Sequence, residues 1–420
     1  MMPAHHGAPL LPQKVLALLI ATAGLLGGCT EEIQPAVASP TTQAPSDDPK
    51  DYVVEPAITY EIQVNEPRFV VPSKGLPIDI NPMVSNANVD IIFHGDRLFM
   101  AWRTAPYHFA DESTRMLVVS STDEGQTWDY ELDLALGTDV REPRFVSFGE
   151  ELQLLFFQGG TNPLTFEPQA VWQTFRTGLG DWTPESILVD GPEVPWDLKT
   201  RNGKAYLTSY EGEHYTNPTD PTIQVYFKES LDGRTWTPVD GAEFVYEGGV
   251  SEVAFEFDAQ GGLWAVTRNE DGDETGFGSH VCYAPPGALA EWECSEQSDP
   301  KRYDSPEMFR HGNEIYLVAR RDIGGTFGPE GSIVTYSMRP KGTALYRIDQ
   351  TERRVEKLMD LPGCGDNAFP SVRRLGPHSF LMANYTSPLD EPDLSWIDGQ
   401  THPEGTQIYF LTINFIPTSP

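Results

Sequence analysis

Asn88-Val89-Asp90-Ile91-Ile92-Phe93-His94-Gly95-Asp96-Arg97-Leu98-Phe99-Met100-Ala101-Trp102 runs from an acidic residue through a short apolar stretch and a Gly-Asp pair to a second apolar stretch. Gly and Asp tolerate the backbone angles of a tight hairpin, and apolar runs rich in β-branched and aromatic residues favour strands. The segment therefore reads as one antiparallel strand pair. The same order recurs at Arg141-Glu142-Pro143-Arg144-Phe145, Trp196-Asp197-Leu198-Lys199, Ser251-Glu252-Val253-Ala254-Phe255, Asp304-Ser305-Pro306-Glu307-Met308-Phe309 and Asp366-Asn367-Ala368-Phe369-Pro370-Ser371-Val372. Turn residues follow each, among them Gly149-Glu150, Asn202-Gly203 and Gly312-Asn313.

Taking Asp90, Glu142, Asp197, Glu252, Glu307 and Asp366 as markers, the gaps are 52, 55, 55, 55 and 59 residues. A fixed period of this length marks a repeat architecture. About 55 residues holds three or four short strands, the content of one propeller blade, and six blades fall within the usual range. The expected fold is all-β: a six-bladed β-propeller of antiparallel four-stranded blades spanning residues 58–420. Closure of the ring is expected to use the strand around Ile58 to Val64 or the C-terminal run Ile408 to Phe415, each pairing with the opposite end of the chain.

Residues 1–28 read as an export signal, with Lys14 ahead of the apolar run Val15 to Leu26. Leu26-Gly27-Gly28-Cys29 resembles the bacterial lipobox, in which small residues permit cleavage before a cysteine that is then lipidated. Cys29 is the expected lipidation site, and Thr30 in place of Asp favours the outer membrane or cell surface. Residues 29–57 are rich in Pro, Ser, Thr and acids and are expected to form a flexible tether. The apolar run is too short for a transmembrane span, so the lipid is the expected membrane contact.

The net charge of -33 argues against a nucleic-acid partner, because phosphate binding needs clustered Lys and Arg. Cys282 and Cys294 flank a turn at Pro285-Pro286-Gly287, and export exposes them to oxidising conditions, so a disulfide between them is expected. Cys364 is then left over. No CxxC pair or His cluster has metal-ligand spacing, so neither a metal nor another cofactor is expected. A monomer is expected.

Ser121-Thr122-Asp123-Glu124-Gly125-Gln126-Thr127-Trp128 has the form S-x-D-x-G-x-T-W, and Ser230-Leu231-Asp232-Gly233-Arg234-Thr235-Trp236 repeats it one residue shorter. These resemble the Asp-box of the sialidase superfamily, a structural hairpin on the blade rim. Trp182 and Trp292 hold the same place, since Trp128, Trp182, Trp236 and Trp292 are spaced 54, 54 and 56. The segment Glu252 to Arg268 is similar to the sialidase stretch in which a Glu polarises the nucleophilic tyrosine and an Arg binds the substrate carboxylate. The resemblance implies those roles for Glu252 and Arg268. The first blade carries Asn88-Val89-Asp90 where sialidases carry an arginine. In the sixth blade Phe369, at the expected place of the tyrosine, has no hydroxyl, leaving Tyr385 as an alternative. Ser305-Pro306-Glu307 is similar to the Ser-Pro-Glu of furanosidase-type propellers, in which the Glu is a general acid.

In a propeller the inner strands surround one axis, so the acidic markers should converge. Paired carboxylates are what glycosidic cleavage needs, and Asp90, Glu142, Asp197, Glu252, Glu307 and Asp366 are the candidates. Arg103, Arg144, Arg268 and Arg320 are the candidate substrate-binding groups. The aromatic loops Tyr107-His108-Phe109 and His214-Tyr215 suit stacking on sugars. Two functions are open: a surface glycoside hydrolase acting on a terminal sugar, and a non-catalytic propeller that captures a glycan or a protein.

Overall fold

The computed structural model describes residues 46–55, 58–215, 222–327 and 331–418. The expected signal segment, and Cys29 with it, lie outside these residues. Six antiparallel sheets of four or five strands follow one another along the chain, as the acidic period requires. Each is one blade. The innermost strands are Ser85–His94, Val140–Phe148, Val194–Arg201, Val250–Phe257, Asp304–His311 and Ser371–Gly376. Each pairs in register with the next strand across the turn read from the sequence, for example His94 with Arg97 and His311 with Glu314.

Both ends of the chain meet in the sixth blade. The strand Tyr60–Val64 pairs antiparallel with the C-terminal strand Gln407–Pro417, Tyr60 opposite Pro417 and Val64 opposite Ile413. A second N-terminal strand, Arg68–Val71, pairs with the same C-terminal strand, Arg68 opposite Phe410 and Val71 opposite Ile408, so two N-terminal strands form the outer edge of a sheet whose three other strands come from the C-terminus. Ring closure therefore joins both candidates, with the strand Arg68–Val71 adding a second ladder to the C-terminal strand.

The apolar core lies between blades as well as within them. One cluster joins Phe99, Met116 and Val118 of the first blade to Phe145, Leu154 and Phe156 of the second. Burying a side chain of this size contributes roughly 1.5–3 kcal/mol, so each interface is a substantial part of the fold. The S-x-D-x-G-x-T-W hairpins clip the rims. Asp123 accepts hydrogen bonds from the amides of Gln126 and Thr127 at 3.0 and 2.8 Å and from the Thr127 hydroxyl at 2.6 Å. Gly125 has φ 76°, and a Cβ there would lie 2.7 Å from the Trp128 ring. Trp128 in turn packs edge-on against Phe410 of the sixth blade. In the fourth blade Cys282 and Cys294 are opposite one another in the ladder and joined by a disulfide; Cys364 is buried and free.

The last stretch of the expected tether is docked on the propeller. Asp48 accepts from the Asn202 amide at 2.7 Å, Asp47 faces Arg201 at 3.7 Å, and Arg374 lies over the Tyr52 ring at 4.6 Å. Acidic residues of a sequence unable to form its own core find cations at the ends of the inner strands, and this fixes residues 46–52.

Candidate active site

Five of the inner strands carry a β-bulge near their start, with register shifts at Ala87/Asp90, Arg141/Arg144, Pro195/Asp197, Val250/Val253 and Asp304/Glu307. Asn88, Glu142 and Ser305 adopt positive φ within these bulges, as does Ala368 just ahead of the sixth inner strand. A bulge re-aims the residue that occupies it. The six acidic markers consequently fall into two groups. Glu142 and Glu252 sit in bulges and, with Asp366 just behind, belong to the mouth of the channel. Asp90, Asp197 and Glu307 follow the bulge and lie deeper.

The mouth is a cavity of about 450 Å³ lined by Asn88, His108, Glu142, Glu252, Arg268 and Arg320, with Tyr210, Tyr385 and Trp396 among its aromatic walls. Glu142 accepts a hydrogen bond from Asn88 Nδ2 at 3.1 Å. Burial pushes its carboxyl up; Arg144 pulls back and Glu252 adds repulsion, leaving it at about 7. Glu252 is also raised by burial, against the opposing pull of Arg268. It meets Arg268 Nη1 at 2.8 Å and accepts from the Ser305 amide of the next blade at 2.7 Å.

Behind these groups lies a polar lattice. Arg268 also contacts Glu270 at 3.2 Å and donates to Ser251 Oγ at 3.0 Å and His214 Nε2 at 3.1 Å, while His214 Nδ1 donates to Asp271. Arg320 donates to the Asn367 carbonyl at 2.7 Å and faces Trp396 at 5.0 Å. Tyr385 donates to Asp366 at 3.0 Å, and Asp366 also receives His108 at 2.8 Å and Trp396 Nε1 at 3.2 Å. Burial lifts Asp366, but His108, Arg320 and Tyr385 outweigh it and hold the carboxylate below its ordinary value. Burial holds the Tyr385 phenol well above its own.

The deeper markers are engaged within the protein. Asp90 joins Arg373 at 2.9 Å and Ser371 at 2.6 Å and accepts the Phe145 amide at 2.7 Å. Asp197 accepts the Phe255 amide at 2.9 Å, and Lys199 bridges it to Glu307 at 2.8 and 3.2 Å. Asp90 and Asp197 thus staple one inner strand to the next. Arg144 and Arg103 also lie outside the cavity lining. Arg144 stacks over Phe369 and Trp196 at 4.4 and 5.4 Å, and Arg103 is fully buried against Asp139 at 2.8 Å.

Of the residues the sequence singled out, the cavity gathers Glu142, Glu252, Arg268, Arg320, His108, His214 and Tyr215, with Asp366 directly behind. Phe369 lines it too, as does Tyr385 from the strand Ser379–Thr386, its hydroxyl bonded to Asp366. Sequence reasoning did not single out Tyr210, Trp396 or Gln400. Tyr210 sat at the end of a second strand, the position that yielded Arg103 and Arg320, and was legible there; Trp396 and Gln400 lie outside any repeat.

No family model matches the chain, and no curated protein matches it. Among solved structures it is similar to a protein of unknown function from Dyadobacter fermentans DSM 18053, at 15% identity with a TM-score of 0.53, covering 79% of this chain and 95% of that one. It is similar to the phage phi92 endosialidase at 11% identity and a TM-score of 0.55, covering 88% and 71% of the two chains. It is also similar to the Trypanosoma rangeli sialidase at 11% identity and a TM-score of 0.52, covering 78% of this chain and 54% of that one. The chain thus spans about half of the trypanosomal enzyme. At these identities the likeness concerns the backbone: the chain has the six-bladed propeller fold found in sialidases.

Proposed function

We propose that the protein is a sialidase-like glycoside hydrolase that removes a terminal sugar from a glycan, with Glu142 as proton donor and Glu252 as its carboxylate partner. The observation that carries this reading is Glu142, a carboxyl in an open cavity held at about 7 by burial and by Glu252. A general acid works best with a pKa near the working pH, and a raised acid beside a second carboxyl is the arrangement glycosidic cleavage uses. Glu142 would protonate the leaving oxygen. Glu252, steadied by Arg268 and the Ser305 amide, would take the proton of the attacking water. Tyr385 and Trp396, both fixed on Asp366, would hold the ring. In this reading the protein is exported and carried on a membrane by a lipid on Cys29, with a glycan as its partner.

The test is release of product from a panel of fluorogenic glycosides that includes sialosides, furanosides and uronides. Turnover by the native protein, cut by about 10²–10⁴-fold in Glu142→Gln, supports the proposal. No product from any member would overturn it.

One observation favours a second reading, a propeller that binds a glycan without cleaving it. Glu252 is locked to Arg268 at 2.8 Å, and the Tyr385 phenol is shifted away from reactivity. Glycan binding that survives Glu142→Gln and Glu252→Gln, with no turnover by the native protein, supports that alternative.

A further inference from the structure

We propose that the sugar gripped by this cavity is uncharged, carrying neither the carboxylate of a sialic acid nor that of a uronic acid. The inference rests on the reading of the cavity as a sugar site, and it goes further by naming the substrate class. Its first support is that each guanidinium on the cavity wall is already committed. Arg268 spends Nη1 on Glu252 and Glu270, Nε on Ser251 and Nη2 on His214. Arg320 spends Nε on the Asn367 carbonyl at 2.7 Å, with weaker contacts to Asp304 at 3.5 Å and the Ala368 carbonyl at 3.4 Å, and its face is covered by Trp396. Arg141 is paired with Asp139 and donates to the His108 carbonyl at 2.8 Å. A ligand carboxylate would have to compete with Glu252 and Glu270 for Arg268 and with Asp139 for Arg141 while sitting beside Glu142 and Glu252, and like charges in a partly desolvated site repel strongly.

The second support is independent and concerns acceptors. Asn88 Oδ1 is buried at the cavity wall with no hydrogen-bond partner, and Asn88 itself is 7% exposed. A buried acceptor left unpaired is costly, and a sugar hydroxyl can donate to it; acidic sugars carry hydroxyls as well, so this acceptor speaks for a polyol and the committed cations speak for its lack of charge. Glu142 receives only the Asn88 amide among the described residues and has acceptor capacity to spare. The wall therefore offers acceptors for a polyol's hydroxyls, and the commitments of its cations select a neutral one.

The experiment combines hydrolysis and binding. Matched aryl glycosides, neutral (hexosides, pentosides, deoxyhexosides) and anionic (a sialoside, a glucuronide), are assayed with the native protein. A glycan array of the same two classes is probed with native protein and Glu142→Gln. The expected result is a kcat/KM at least about 100-fold higher for the best neutral glycoside than for any anionic one, and array signal confined to neutral glycans. In Glu252→Gln, which releases one claim on Arg268, affinity for the sialylated or uronate ligands should rise about tenfold. Preference for a sialoside or a glucuronide, in turnover or on the array, would overturn the inference while leaving the hydrolase reading intact. Neutral glycans bound without any turnover would overturn the hydrolase reading and support this one. No binding and no turnover would overturn both.

Discussion

Glu142 owes its proton to its backbone. With φ 53° in a bulge it turns its carboxyl into the cavity mouth, where burial and Glu252 raise it to about 7. The hydrolytic rate should therefore fall above about pH 7 as Glu142 ionises, a limb that a pH profile of kcat/KM would reveal. Stability should show the same group. The native carboxyl holds its proton more tightly than the unfolded chain does, so its contribution is complete below the ordinary 4.5 and is lost as pH rises through about 7. Glu307, lifted by burial to about 7 despite Lys199, acts in the same direction. Calorimetry should find Tm falling between pH 5 and 8, and falling less in Glu142→Gln. A shift of this size is worth at most on the order of 3 kcal/mol per group. Asp90 tests the opposite kind of acid. Asp90→Ala takes the nearer carboxylate from buried Arg373, leaving it Glu307 at 3.5 Å, and removes the acceptor of the Phe145 amide, so denaturant titration should show a loss of about 3–5 kcal/mol.

At the scale of the element, what was legible in the sequence was the period, and what was hidden was the level along the axis. The acid-strand-turn-strand order located all six blades because hairpin chemistry and apolar runs are local properties. The markers were not equivalent positions, however. Glu142 lies in a bulge and Asp90 after one, a difference of two residues that spacing alone does not distinguish from ordinary variation. Convergence of six acids thus resolved into a pair at the mouth, Asp366 behind it, and three structural acids below. Trp396 and Gln400 were not legible because they reach the cavity from a segment outside the repeat, around the short helix Trp396–Gln400. The rim hairpins supply a separate test. Gly125→Ala would push a methyl into the Trp128 ring at a positive φ, and a thermal melt should show a loss of about 1–3 kcal/mol.

For the whole molecule, the two ends of the chain hold the ring shut, and the segment Ser46–Tyr52 is docked on the face opposite the cavity. Ile62 pairs with Phe415 within the closing ladder. Gln63, opposite Asn414, lies in the hydrogen-bonding register of that ladder; Gln63→Pro removes a ladder donor and should open the sixth blade, read as cooperative loss of the native melt at a Tm lower by about 5 °C or more. The segment Ser46–Tyr52 contacts Asn202, Arg201 and Arg374, beside inner-strand ends such as Gly95, Gly149 and Gly203, whereas the cavity lies at inner-strand starts. The proposed function rests on the cavity at the inner-strand starts. Its most direct test is a crystal structure of Glu142→Gln soaked with a neutral oligosaccharide. A terminal sugar seated against Tyr385 and Trp396, with its glycosidic oxygen within about 3 Å of residue 142, is the expected result. A sugar bound elsewhere, or a cavity empty at saturating ligand, would contradict it.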